Sequence, residues 1–188
     1  MEAADARAVV LVEGVSDRCT LLTLAARRGR DLDADGVAVV AMGGVTSIGR
    51  FLQQFGPHGL DRRLAGLYDA GEHHIVRHHL ERAGLGNVLT DEAMDRLGFF
   101  ACAADLEDEL IRAVGVDTVQ HVIAAQGQLR SFRTFQQQPA QRARSRDAQL
   151  RRFMGTHSGR KSQYAVLLVE ALDLDHVPRP LDGVLAAV

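Results

Sequence analysis

The chain has few cysteines, a single lysine, no long apolar run and no excess of positive charge. Two cysteines in 188 residues, Cys19 and Cys102, cannot build a disulfide framework, and they fit the reducing cytoplasm. No apolar stretch reaches the length of a bilayer-spanning helix, and the acidic, alanine-rich start does not read as a secretory signal. No internal repeat or low-complexity tail is present. With 46% hydrophobic and 24% charged residues, the composition excludes global disorder. The formal net charge of −2 excludes a uniformly basic coat for nucleic acid. Of the 22 basic side chains only Lys161 is lysine. A bias toward Ala, Arg, Gly, Leu and Val accounts for the missing lysines but not for the one retained.

The charge that is present is unevenly distributed. Residues 130–161 carry nine cationic side chains against the single acid Asp147, a net of +8, which leaves −10 on the rest of the chain. Such a block reads either as an exposed helical face or as a contact surface for a polyanion. On the second reading Arg142, Arg144, Arg146, Arg151, Arg152 and Arg160 are its nucleic-acid-binding residues.

An apolar run rich in β-branched residues at 7–12 predicts a strand buried on both faces, 37–42 a second buried strand, and 63–68 and 97–103 a third and a fourth strand. Helical patterns follow each of them: from Ser16 to about Arg28, from Thr46 or Ser47 to Gly56-Pro57, from Glu72 to Arg82, and from Asp105 onward. This alternation predicts an α/β fold, a four-stranded parallel sheet flanked by helices. After Val114 the strand signal ends. Helices are expected at about 117–126, 139–153 and 159–172, the last capped by Ser158, with a short piece after Pro180. Gln126–Arg146, poor in apolar residues, is expected to be mobile. The division expected is a core over 1–114 and a helical C-terminal part over 115–188 packed on it.

Ligands of open parallel sheets bind beyond the carboxyl ends of the strands. Three of the four strand ends carry acids: Glu13, Asp69, and Asp105 with Glu107. Asp17 lies one helical turn beyond Glu13 and can face the same crevice. Converging carboxylates repel one another unless a cation lies between them, and an all-oxygen set suits Mg²⁺ or Mn²⁺. Taken singly, Asp105, Asp108 and Glu109 are equally well explained as helix-start residues. Glu13, ending an apolar strand, is not, because an acid there needs a partner.

Val12-Glu13-Gly14-Val15-Ser16-Asp17, Gly43-Gly44 after the second strand, and a third strand ending at Asp69 together resemble the TOPRIM domain of topoisomerases, primases and several nucleases. Ser-Asp after Glu-Gly, Asp-Leu-Glu-Asp-Glu-Leu after the fourth strand, and an isolated lysine in a helical C-terminal part make the chain similar to the overcoming-lysogenization-defect (OLD) nucleases. The resemblance implies a Rossmann-like TOPRIM core. Glu13 corresponds to the glutamate that ligates metal or acts as general base, Asp17 to the second acid of that motif, and Asp69 to the first aspartate of Asp-x-Asp. Asp105 and Glu107 fall where a further acid is placed, and Lys161 falls in the region of a transition-state lysine. Gly14, Gly43 and Gly44 would shape the site.

The sequence departs from that pattern at Gly71, which stands where the second aspartate belongs. Glu72 is adjacent but points elsewhere if it belongs to the helix. One metal, recruitment of Glu72 and loss of catalysis all stay open. OLD proteins also carry an ATPase domain. None is read here, and Gly43-Gly44-Val45-Thr46-Ser47 lacks the lysine of a phosphate-binding loop. His74 and His78, four apart, could share a metal but read better as a solvated face. Tyr68 and Tyr164 are expected to pack rather than attack phosphorus, and the cysteines to sit in the core.

The expectation is therefore a Mg²⁺- or Mn²⁺-dependent nucleic-acid phosphodiesterase, a DNA endonuclease or nickase, in the cytoplasm. The alternatives are a catalytically degenerate nucleic-acid-binding subunit and a stand-alone TOPRIM ribonuclease. DNA is favoured over RNA, no membrane is involved, and a separate ATPase partner or a homodimer would be compatible.

Overall fold

Five consecutive residues of the first strand, Ala8 to Val12, are buried, and they alternate between two separate apolar clusters. Ala8, Val10 and Val12 face one side, and Val9 and Leu11 the other. A strand covered on both faces must be central, and the sheet order β2-β1-β3-β4 places it there. The structure is a computed structural model that describes residues 2–156 and 159–188.

The elements in chain order are β1 (Ala8–Val12), α1 (Val15–Arg27), β2 (Val37–Ala41), α2 (Ile48–Phe55), β3 (Arg63–Asp69), α3 (His73–Arg82), α4 (Asp91–Arg96), β4 (Phe99–Cys102) and α5 (Leu106–Val114). Six helices follow: α6 (Val116–Ala125), α7 (Leu129–Gln136), α8 (Pro139–Arg142), α9 (Arg146–Met154), α10 (Arg160–Ala171) and α11 (Arg179–Ala186). All strand pairs are parallel, with Val12 opposite Ala41, Leu11 opposite Gly66, and Asp69 opposite Cys102. The strands therefore end together, and their carboxyl ends form one edge. Gly66 is where β3 and the Phe99 ring meet: an added Cβ would lie 2.7 Å from that ring, so only glycine fits without displacing it.

The apolar cluster on one face joins Val10 and Val12 to Leu21 and Leu24 of α1, Leu106 and Leu110 of α5, and Tyr164 and Leu168 of α10. The cluster on the other face joins Val9 and Leu11 to Leu52 of α2, Val76 and Leu80 of α3, and Met94 of α4. The C-terminal helices therefore share a core with α1 and α5, which brings Lys161 to the strand ends. Arg27 ties the two parts further: its guanidinium donates to the carbonyls of Val169 at 2.6 Å and Leu172 at 2.5 Å.

Two local expectations are corrected. The stretch 126–146 is not a mobile connector but holds α7 and α8. Phe132 and Phe135 of α7 are buried against Phe153, with ring centroids 5.1 and 5.6 Å from it. Buried Gln149 pins the same region, accepting from Gln136 Nε2 at 2.7 Å and donating to the Gln141 carbonyl at 2.8 Å. Few apolar residues suffice there because the two aromatic ones, Phe132 and Phe135, are both buried. Separate helices α8 and α9 also replace the single helix expected over 139–153. Ser158, the expected cap of α10, lies outside the described residues. Among those residues, no helix is long and apolar enough to cross a membrane.

Candidate metal and phosphate site

Glu13 leaves the end of β1, and its backbone carbonyl is held by two N–H groups, from Gly43 at 3.0 Å and Gly44 at 3.2 Å. Both glycines have positive φ, +75° and +121°, which a side chain would strain. The Gly-Gly turn thus fixes where β1 ends and keeps the space above it open. Gly14 caps α1, and its N–H donates to Asp17 Oδ2 at 2.7 Å. That bond folds the Asp17 carboxylate back over the helix start, toward Glu13.

These residues line a cleft of about 400 Å³ at the carboxyl edge of the sheet, with Asp69, Asp105, Glu107, Lys161 and Ser162. Asp105 caps α5, accepting from the Asp108 N–H at 2.9 Å, while its other oxygen meets Arg151 Nε at 2.6 Å. Glu107 is almost fully buried. One of its oxygens meets Lys161 Nζ at 2.9 Å, and the other, Oε1, has no hydrogen-bond partner. Asp108 and Glu109 are structural: Asp108 pairs with Arg112, and Glu109 accepts from the Ala103 N–H at 2.8 Å and pairs with Arg112.

The carboxylates raise one another's pKa. Burial pushes Asp69 up to about 7, with Glu13, Asp105, Glu72 and Asp17 adding repulsion. Burial also pushes Asp17 up to about 6, against the opposing Gly14 hydrogen bond, with Glu107 raising it further and Lys161 lowering it. The Lys161 ammonium is disfavoured by burial, but Glu107, Asp105 and Asp17 more than compensate and its pKa rises.

Of the alternatives open for Glu72, its position favours recruitment to the acids. It ends a 3₁₀ turn over Ala70–Glu72, just before α3, and its carboxyl shares a hydrogen bond with that of Glu13. Burial and the charges of Glu13 and Asp17 raise its pKa, and its buried Oε2 has no partner. Gly71 has open space where a side chain would project. The second position of Asp-x-Asp is thus empty for want of a side chain rather than for want of room, and Glu72 reaches the cluster from the next residue.

Of the arginines, Arg144, Arg151 and Arg152 line an adjoining cleft of about 290 Å³ that shares Asp105, Glu107 and Lys161 with the first. Arg142 and Arg160 do not line either cleft. Arg142 donates to the Gln137 carbonyl, and Arg160 stacks on the Phe153 ring at 4.6 Å. Arg146, exposed at the start of α9, lines neither cleft. His74 and His78 are exposed. Tyr68 is buried on the α3 side of the sheet with its hydroxyl 3.2 Å from His73 Nδ1, and Tyr164 is buried with its hydroxyl on Gln128. Neither tyrosine lines the cleft. Ser162 was not anticipated as a lining residue; its only signal is its place beside Lys161 in the first turn of α10.

Residues 6–70 match the family described as overcoming lysogenization defect protein-like, TOPRIM domain. Over these residues the chain is similar to a TOPRIM domain of the OLD-like type. In overall fold it is similar to the C-terminal region of the OLD protein of Xanthomonas campestris pv. campestris, at 24% identity and a TM-score of 0.75, covering 97% of this chain and 92% of that one. It is equally similar to the C-terminal region of the Burkholderia pseudomallei OLD protein, at 20% identity and a TM-score of 0.75, covering 97% and 96%. No curated protein matches it in sequence. TOPRIM domains as a class act on nucleic acid and bind divalent metal ions.

The residues of this cleft fit such an ion. The donors are all oxygens, two buried carboxylate oxygens lack partners, and the acids crowd one another enough to resist ionisation. Among the described residues, no three His, Cys, Asp or Glu side chains are already gathered as a cage. Mg²⁺ does not require one, since it commonly keeps several waters and takes one or two carboxylates plus phosphate oxygens.

Proposed function

We propose that the chain is a divalent-cation-dependent nucleic-acid phosphodiesterase, an endonuclease or nickase acting on DNA. The observation that carries this reading is the convergence of Glu13, Asp17, Asp69 and Glu72, repelling one another at one sheet edge, with the chain's only lysine facing the same cleft. Glu13, Asp17 and Asp69 would hold Mg²⁺ or Mn²⁺, with Glu72 in place of the missing aspartate. Bound there, the ion supplies Lewis-acid charge against the negative charge that develops at phosphorus.

The remaining work falls to the chain. Glu13 is placed to accept the proton of the attacking water as the new O–P bond forms. Lys161, half exposed on the first turn of α10, turns its ammonium from Glu107 to a phosphate oxygen or to the leaving oxygen as the P–O bond breaks. Arg144, Arg151 and Arg152 hold the neighbouring phosphate, so binding is salt-sensitive and largely indifferent to sequence. Purified protein is expected to nick supercoiled plasmid with Mg²⁺ or Mn²⁺ and not with EDTA. Equal nicking by wild type and by Glu13→Gln would overturn the assignment.

One observation favours a second reading, a TOPRIM module that binds nucleic acid without cutting it. Gly71 leaves one ligand position empty, and Asp105 and Glu107 are already neutralised by Arg151 and Lys161. That reading predicts DNA binding, no cleavage with any divalent ion, and no Asp69-dependent heat of Mg²⁺ binding in calorimetry.

A further inference from the structure

A second concave surface lies on the opposite face of the sheet from the basic C-terminal helices. The groove between α2 and α3 has a volume of about 510 Å³, and Thr46, Arg50, Gln53, His58, His79 and Arg82 line it. No acid contributes to its lining. Arg50 and Arg82 are exposed, and among the described residues neither forms an ion pair. The Arg50 guanidinium lies over the Phe51 ring at 4.8 Å, which orders it while leaving its N–H groups free at the edge. Glu81, the acid on the last turn of α3, is turned away and accepts from the Leu89 N–H at 2.9 Å.

The groove is built rather than incidental. Gly49 of α2 makes the room: a Cβ there would lie 2.7 Å from His79 Nδ1. Burial, and after it the neighbouring His78 and Arg82, lowers the pKa of the His79 imidazole. Along the chain the groove begins close to the acidic cleft: Thr46 stands two residues past Gly44, and Gly44 lines that cleft.

We infer that the α2–α3 groove is a phosphate-backbone site, which holds the arm of nucleic acid leaving the acidic cleft across Gly43-Gly44. Arg144, Arg151 and Arg152 hold the other arm on the far face of the sheet. Forked guanidinium donors, a hydroxyl and an amide suit phosphodiester oxygens, and the position of Thr46 two residues past Gly44 of the acidic cleft favours nucleic acid over an acidic peptide. The inference rests on the reading of the chain as a nucleic-acid enzyme or binder.

The test is binding of a short fluorescent DNA duplex to the full chain by anisotropy, in EDTA and across a salt series. The double variant Arg50→Ala/Arg82→Ala is expected to bind about tenfold more weakly near ~0.1 M salt, with a log–log salt slope shallower by about 2. Arg50→Lys/Arg82→Lys should recover most of both. Both side chains are exposed, so the melting curve should match the wild type. Unchanged affinity and slope in the alanine variant, with the wild type binding duplex, would overturn the groove assignment alone. Failure of the wild type to bind any duplex would instead remove the nucleic-acid reading on which it rests.

Discussion

The acids of the cleft are neutralised in two ways. Asp105 and Glu107, at the start of α5, each face a cation from the C-terminal helices, Arg151 and Lys161. Glu13, Asp17, Asp69 and Glu72, just past β1 and at the end of β3, form no ion pair among the described residues and crowd one another instead. The first pair is compensated from within, and the second group is complete only with an added cation. Lys161 therefore joins the two halves, since it can leave Glu107 only when something else balances that buried acid.

Five measurements would break or sharpen that contrast. The largest effect is expected in the uncompensated group: Glu13→Gln and Asp69→Asn should each lower the nicking rate by about 100-fold or more, as loss of a principal electrostatic element does. Across the joint, Lys161→Arg should lower kcat by about tenfold with little change in KM, because a planar guanidinium cannot replace a compact ammonium in a tight site. Unchanged kcat would make Lys161 a remnant of composition. In the same half, Lys161→Met should cost about 1–2 kcal/mol in chemical denaturation, because Glu107 stays buried without its partner while the lysine itself is half exposed.

Next in size, Gly71→Asp should strengthen Mg²⁺ binding severalfold by calorimetry, since the position has room and the family pattern places a carboxylate there. A weaker isotherm would mean that Glu72 already fills that role. The smallest effect is on pH. Asp17 and Asp69 titrate near 3.8 when unfolded and about 6 and about 7 when folded, so the folded chain holds more protons between those values. Stability without metal should be greatest below that window, fall as pH rises through it, and level off above about 7. Mg²⁺ should offset the loss at the upper end, because it replaces the protons. Denaturant midpoints in EDTA and in Mg²⁺ across this range check both signs.

Much of this was legible in the sequence for a simple reason. A strand buried on both faces is an uninterrupted apolar run, and Val9 to Val12 are one. Four such runs with helical patterns between them leave little choice of architecture. The acids at three strand ends were legible because a parallel sheet sends all its carboxyl ends to one edge. Residues 126–146 were not: their helices depend on Phe132 and Phe135 reaching Phe153, a contact made in space rather than by local pattern. For a similar reason the sequence does not decide whether Glu72 joins the acids: the 3₁₀ turn over Ala70–Glu72 has no strong local signature. The basic block was legible as charge, but not in its division: three arginines of the six line the cleft beside the acids, while the others hold backbone carbonyls, stack on an aromatic ring or stay exposed.

The sequence by itself determined the parallel sheet, the glycine turn above β1, and the identity of the acids and the lysine, because periodicity, positive φ and charge are local properties. Only the tertiary structure decided which acids face a cation and which face one another. It also decided that Lys161, 148 residues from Glu13 along the chain, shares a cleft with it. Those outcomes depend on α10 packing against α1 through Tyr164 and Leu168, and contacts between distant helices leave no spacing in the sequence from which to read them.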